Sequence, residues 1–310
     1  MPRLVVLDRP FARRLVFLIN VPVGVVVLAA AARVLPRGSV DGRVRLDPMG
    51  MVVVGLAATA IVYPLIEGRS QGWPISMFAV LAVGVALLAA FVRSTLRRRP
   101  GGLIEPSLLR NRVYLTGLGV GLMFFGSFAG LLLVVSLFCQ LGEGFSPVHA
   151  GLTILPMSVG LVIAMLASYG VVERLGRRLI HTGAALVGVG TVAIALTAGG
   201  TASVTSWDLA PGLFIVGLGG GCAFGQLFDF ILAGVSIHEV GSASGVLSAS
   251  QQLANALGVA VLGTVFFSGF AAEGAGHALA IIAWACLAPI VVAFLGTWLL
   301  PTRVRATAAS

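Results

Sequence analysis

The chain has 310 residues, of which 58% are hydrophobic and only 10% charged, against about 25% charged in an average soluble domain. With a mean hydropathy of +1.05, that composition excludes an ordinary soluble globular protein. The net charge of +9 does not point to nucleic acid, because the basic residues, all of them arginine, sit in short links between apolar runs.

Nine apolar runs are long enough, or nearly so, to cross a bilayer, which takes roughly 20 helical residues. In chain order they are Leu15–Leu35, Pro48–Ile66, Ile75–Val92, Val113–Phe138, Ala150–Val172, Leu179–Ala198, Leu209–Val235, Gly245–Phe270 and Leu279–Leu300. Helices are required, since backbone in hydrocarbon must satisfy itself and the alternation of barrel strands is missing. The expected fold is therefore all-α, a polytopic membrane protein.

Arginine placement orients it. Arg33, Arg37, Arg43 and Arg45 follow the first run, and Arg93, Arg97, Arg98, Arg99, Arg110 and Arg112 follow the third. Arg174, Arg177 and Arg178 follow the fifth, Arg303 and Arg305 end the chain, and the alternate links hold only Arg69. The arginine-rich links and the C-terminus are thus expected in the cytoplasm. Trp73, Trp207 and Trp284 then fall near the outer interface and Trp298 near the inner one. The N-terminus conflicts with this pattern, because Arg3, Arg9, Arg13 and Arg14 are left outside; spans upstream of the first run would resolve it.

Two neighbouring runs carry the polar groups. The seventh holds Asp229, the only carboxylate well inside an apolar run, with Gln226 three residues before it. An ionisable group there is costly in hydrocarbon and by default faces protein or a wet cavity. It is either a proton-handling group or structural glue that bonds serine or glutamine of a neighbouring helix. The eighth run holds Ser244, Ser248, Gln251, Gln252 and Asn255, most of them on one stripe at helical spacing. Phe124, Phe125 and Phe128 on the fourth run, with Met123 and Met157, offer adaptable apolar surface for a ligand or form plain core. Gln140 would add a polar contact.

Small residues recur at intervals of four, at Gly117/Gly121, Gly126/Gly130, Gly217/Gly221 and Gly221/Gly225, which allows close helix packing. Gly219, Gly220 and Gly221 stand in a row and are expected to weaken the helix locally. Cys139, Cys222 and Cys286 show neither metal nor disulfide spacing. His149, His181, His238 and His277 lie at four separate links or run ends with no ligand or catalytic spacing. No metal, cofactor or catalytic cluster is expected, which argues against an enzyme.

Four segments in order resemble one family. FLINVPVG at Phe17–Gly24 is similar to the opening of the sixth helix of fourteen-span drug:proton antiporters of the major facilitator superfamily, the EmrB/QacA type. LDPMG at Leu46–Gly50 with LIEGRSQGW at Leu65–Trp73 resembles their two-helix insertion. SPVHAGLTILPMSVGL at Ser146–Leu161 is similar to the entry to the tenth helix, and AGVSIHEVGSASGVLSASQQLANALGVAVLG at Ala233–Gly263 to the link and thirteenth helix. The segment GVVERLGRR at Gly170–Arg178 resembles the superfamily's cytoplasmic gate loop in its second-half copy, with Glu173 where aspartate is usual.

The resemblance implies that residues 1–36 carry one helix of the first half and 37–100 the two-helix insertion and linker. Residues 101–301 would form the second six-helix bundle, and 302–310 a cytoplasmic tail. It further implies proton-coupled export of amphipathic compounds by alternating access, with Asp229 as the proton-coupling group. Gln226, Gln251, Asn255, Gln140 and the three phenylalanines would line the substrate path. Gly170, Glu173, Arg174, Gly176, Arg177 and Arg178 would form the gate loop, whose arginines are either a gate or a positive-inside anchor. The implied partners are the bilayer, protons, a small amphipathic substrate and a missing first half; the alternative is a non-transporting remnant or a chain completed by a separately encoded half. The first five helices of the family are not found in this chain.

Overall fold

The computed structural model describes residues 20–34, 47–68, 71–97, 105–200 and 204–299. Contacts divide the chain into two units, Met1–Val44 and Arg45–Ser310. In the first, α1 spans Asn20–Val34; the start of the first expected span, at Leu15, lies outside the described residues.

The second unit is helical throughout its described part, with no strand among the described residues. It contains α2 (Pro48–Glu67), α3 (Ile75–Arg97), α4 (Arg112–Leu137), α5 (Pro147–Tyr169), the short α6 (Val172–Leu175), α7 (Arg177–Gly200), α8 (Ser206–Leu232), α9 (Val240–Glu273) and α10 (Ala275–Gly296). Eight helices among the described residues are long and apolar enough to cross a membrane.

Local chemistry sets where these helices start. Asp47 accepts a bond from the Gly50 amide at 2.9 Å before α2, and Asn111 accepts from the Val113 and Tyr114 amides before α4. Ser146 accepts from the His149 amide before α5. Thr205 and Asp208 form a reciprocal capping box at α8. Each satisfies amide donors that a helix start leaves unpaired. At its far end α4 widens into a π turn, Phe138–Gly142.

Six long helices pack as a bundle. α4 lies against α9 and α10, α8 against α5 and α7, and α10 also against α7 and α9, while α4 and α8 meet through the middle. α2 and α3 form a hairpin, and α2 leans on α9. The glycine pairs are contact points. A Cβ on Gly258 would stand 1.9 Å from the Gly126 oxygen, so α4 and α9 touch backbone to backbone there. Gly225 faces open space, so the Gly221/Gly225 spacing has no packing partner at its second residue.

α8 runs unbroken through the row Gly219–Gly221. Successive residues point about 100° apart around a helix, and each of the three glycines receives a different neighbour. Gly219 meets the Gly183 oxygen of α7, Gly220 the Phe128 ring of α4, and Gly221 the Leu161 oxygen of α5. The row is a three-way approach point.

Candidate functional site

At one end of the bundle, three side chains tie the α8–α9 link and the first turn of α9 to the start of α4. Asn111 Nδ2 donates to the Gly234 carbonyl at 2.7 Å. Tyr114, fully buried, donates its hydroxyl to the Ala243 carbonyl at 2.7 Å. Ser107 bonds Glu239.

The expected gate loop folds as the end of α5, then α6, then a turn at Gly176, whose φ of 49° falls in the region that glycine tolerates best. Arg177 donates to the Trp298 carbonyl at 3.0 Å, and its guanidinium lies 5.6 Å from the centre of that indole. It thus holds the carbonyl end beyond α10, where a cation is favoured. Arg174 and Arg178 are exposed, and Gly170 closes α5. Glu173 lies in α6.

Deeper in, the sequence-chosen phenylalanines come together, though not as open surface. Phe124, Phe125 and Phe128 are at most 9% exposed and pack into a seam with Phe224 and Phe228 of α8. The Phe128–Phe224 pair meets edge to face at 4.9 Å between ring centres, a favourable arrangement. The three rings are core because α4 is enclosed by α8, α9 and α10. The half-buried members, Phe224 and Phe228, are what the seam presents outward, and the sequence reading missed both. Their place opposite α4 depends on a contact made more than 90 residues away in the chain. Met157 is buried and Met123 is 40% exposed.

Asp229 lies apart from the seam. α8 ends at Leu232, so the acid stands in its last turn, exposed, with no side-chain hydrogen bond among the described residues. Nine residues separate it from Gly220, which places it about 180° round the helix from the glycine that touches α4. It is therefore not enclosed with the aromatic seam. Gln226 does not bond it; the Gln226 side-chain oxygen is buried without a hydrogen-bond partner among the described residues.

On α9, Ser248 and Gln252 are exposed and Gln251 and Asn255 half-buried. Asn255 Nδ2 donates to Gln252 Oε1 at 3.4 Å, and Ser244 to the Gly241 carbonyl at 3.0 Å. Further along the same face, Val259, Gly263 and Phe267 border an apolar crevice of about 470 Å³ under Leu65 and Ile66 of α2. One helix face is thus polar and open in one half, apolar and partly roofed in the other. Gln140, exposed in the π turn, bonds Ser136 of its own helix and, among the described residues, no neighbouring helix.

At the opposite end, α5 and α8 are joined through side chains that no local pattern pairs. His149 Nε2 and Ser206 Oγ are 2.9 Å apart, and Ser206 Oγ and Thr153 Oγ1 are 2.8 Å apart. Among the described residues, no group of three or more histidine, cysteine or acidic residues is placed to hold a metal.

Relatives agree with this architecture. The chain is 45% identical over 259 residues to the Probable actinorhodin transporter of Streptomyces coelicolor, covering 82% of this chain and 45% of that protein. It is 34% identical over 263 residues to the Puromycin resistance protein pur8 of Streptomyces alboniger, covering 84% and 52%. To the Putative multidrug resistance protein MdtD of Citrobacter koseri it is 27% identical over 290 residues, covering 89% and 59%. The chain spans about half the length of these curated relatives. The profile of the Major Facilitator Superfamily matches residues 11–259. With eight membrane-length helices among its described residues and four-fifths of its length in that match, the chain belongs to the Major Facilitator Superfamily of multi-pass membrane transporters, which are not enzymes.

Proposed function

We propose that this chain is part of an exporter of drugs or other amphipathic compounds, driven by protons and working by alternating access. It would lie in the cell's inner membrane with the arginine-rich links and the C-terminus in the cytoplasm. The names of the relatives support the substrate class: one is a probable actinorhodin transporter, one confers puromycin resistance, and one is a putative multidrug resistance protein.

The observation that carries the reading is the polar face of α9. Ser248, Gln252 and Asn255 sit on a membrane-length helix, and among the described residues no hydrogen bond joins them to a neighbouring helix. Amide side chains against acyl tails are costly, so this face needs a wet path or a partner. A second half of the transporter, with the substrate path between the two, supplies both. Such sites lie near the middle of the membrane, between repeated halves. On this reading Phe224, Phe228, Gln251, Gln252 and Asn255 face the path, and Arg177 holds α7 to the end of α10 at the inner mouth. Asp229, an exposed carboxylate near that mouth, is the group proposed to exchange protons with the cytoplasmic side.

The test is export in a host stripped of its own pumps, with the five remaining helices of the family supplied as a separate chain. Co-expression restores efflux of a lipophilic dye. Replacing Gln252 and Asn255 together by leucine lowers that efflux about tenfold at equal membrane insertion, a loss of ~1.4 kcal/mol in coupling to substrate. Asp229→Asn leaves dye binding intact and removes the dependence on the proton gradient. Efflux that is never restored, with both chains inserted, favours the non-transporting reading.

A further inference from the structure

The polar and apolar stretches of α9 follow one another in an order opposite to that of a bilayer. Gln252 and Asn255 lie toward the middle of the helix, Val240–Glu273, where a membrane is most apolar. Gly263 stands about 16 Å beyond Gln252 along the axis. It borders the apolar crevice together with Leu65 and Ile66 of α2, Leu133 of α4 and Phe267 of α9 itself. Ile66 is one residue short of the end of α2, so the crevice lies close to the helix ends, where a bilayer turns polar. Thr264, the one polar residue bordering it among the described residues, spends its proton on the Ala260 carbonyl at 2.8 Å. The crevice volume, about 470 Å³, falls within the ~300–1,000 Å³ of small-ligand sites.

We propose that the α2–α3 hairpin supplies one wall of a substrate subsite. A single-tailed amphiphile lies along α9 there, with an uncharged head that both donates and accepts hydrogen bonds, such as a carboxamide or an alcohol. Its head meets Gln252 and Asn255, and its tail runs under Leu65 and Ile66. The subsite rests on the export reading above only in that α9 must face the substrate path.

The head supplies the affinity. Asn255 Nδ2 donates to Gln252 Oε1, and neither side chain makes another hydrogen bond among the described residues. That leaves Gln252 Nε2 to donate and Asn255 Oδ1 to accept. Both are costly to leave unpaired in hydrocarbon, and a neutral head satisfies both without bringing a charge to the middle of the membrane. The tail gains little by leaving acyl chains for an apolar crevice, because lipid is as apolar as leucine. The crevice therefore acts by selection, on the width of the tail and on its direction. A lipid seated the usual way puts its head at the end of α2 and its methyl end on the two amides, which stay unpaired. An amphiphile held with its head toward the middle pairs them and fills the crevice.

Photolabelling of the whole chain in lipid nanodiscs tests it, with a straight-chain fatty amide that carries a diazirine at the tip of its tail. The label should fall on peptides containing Leu65 and Ile66 and on those covering residues 259–267. Gln252→Leu with Asn255→Leu should cut it about tenfold, the worth of two neutral hydrogen bonds, at an unchanged melting temperature. Gly263→Phe should fill the crevice and drive the label away from Leu65 and Ile66. Ile66 is 55% exposed, so Ile66→Trp narrows the crevice from the hairpin side without entering the bundle core, and should lower the label on residues 259–267. Absence of label at Leu65 and Ile66, label on the Gln252–Asn255 peptide in its place, or indifference to the double leucine change overturns the subsite. Equal labelling by a phosphatidylcholine with the same tail tip does so too. Labelling needs no transport, so lost efflux with labelling intact counts against export alone, and restored efflux without labelling counts against the subsite alone.

Discussion

The hairpin α2–α3 and the six-helix bundle are both built of apolar helices, and they are packed by different rules. α3 is the most apolar of the eight spans, with a mean hydropathy of 2.7, yet only 17% of its span is buried in the protein. α8 is the least apolar, at 1.6, and half of its span is buried; for α4, at 2.4, the share is 61%. In water the order would be reversed. In a bilayer the lipid is as apolar as leucine, so apolarity sorts helices into the membrane without sorting them into the core. What draws α4, α8 and α9 together is close approach at glycine, aromatic interlock and backbone-directed hydrogen bonds, which the hairpin has in smaller measure.

The strongest way to break this contrast is at the α4–α9 contact. Gly258→Leu places a side chain where 1.9 Å separates even a Cβ from the Gly126 oxygen. It should cost about 3 kcal/mol or more and leave little folded bundle, as read by thermal unfolding in detergent. The matching change in the hairpin, Gly84→Leu, meets Ala60 and Ile61 at 2.9 Å. It should let α2 and α3 come apart and become open to protease while the bundle keeps its melting temperature. A bundle that melts with the hairpin would remove the distinction. Smaller still is Tyr114→Phe, which leaves the Ala243 carbonyl without its hydroxyl partner. A loss of ~1 kcal/mol is expected, together with faster exchange at the start of α9 and no change in the hairpin.

Much of this was readable from the chain itself. Apolar run length and arginine spacing placed the eight helices to within a few residues, because the bilayer imposes one length scale on all of them. Motif order pointed to the superfamily. The periodicity of α9 located its polar stripe, since Ser248, Gln252 and Asn255 declare a face within a single helix.

What stayed hidden depends on pairing between distant helices. Nothing local tells Phe124 that Phe224 will lie across from it, or His149 that Ser206, 57 residues on, will stand within 2.9 Å. Helix ends are a related case. Hydropathy carries the apolar run on to Val235, whereas the helix stops at Leu232, which leaves Asp229 in its last turn.

The three consecutive glycines of α8 have a mechanical consequence. With bare backbone touching α5, α7 and the aromatic seam of α4 at nearly one height, α8 is hemmed on three sides and open only on the side of Gly225 and Asp229. A small turn would press a side chain from above or below into a space only hydrogen can occupy. The helix is therefore keyed like a splined shaft. It touches three neighbours at once at this height, so displacing it requires those close contacts to give.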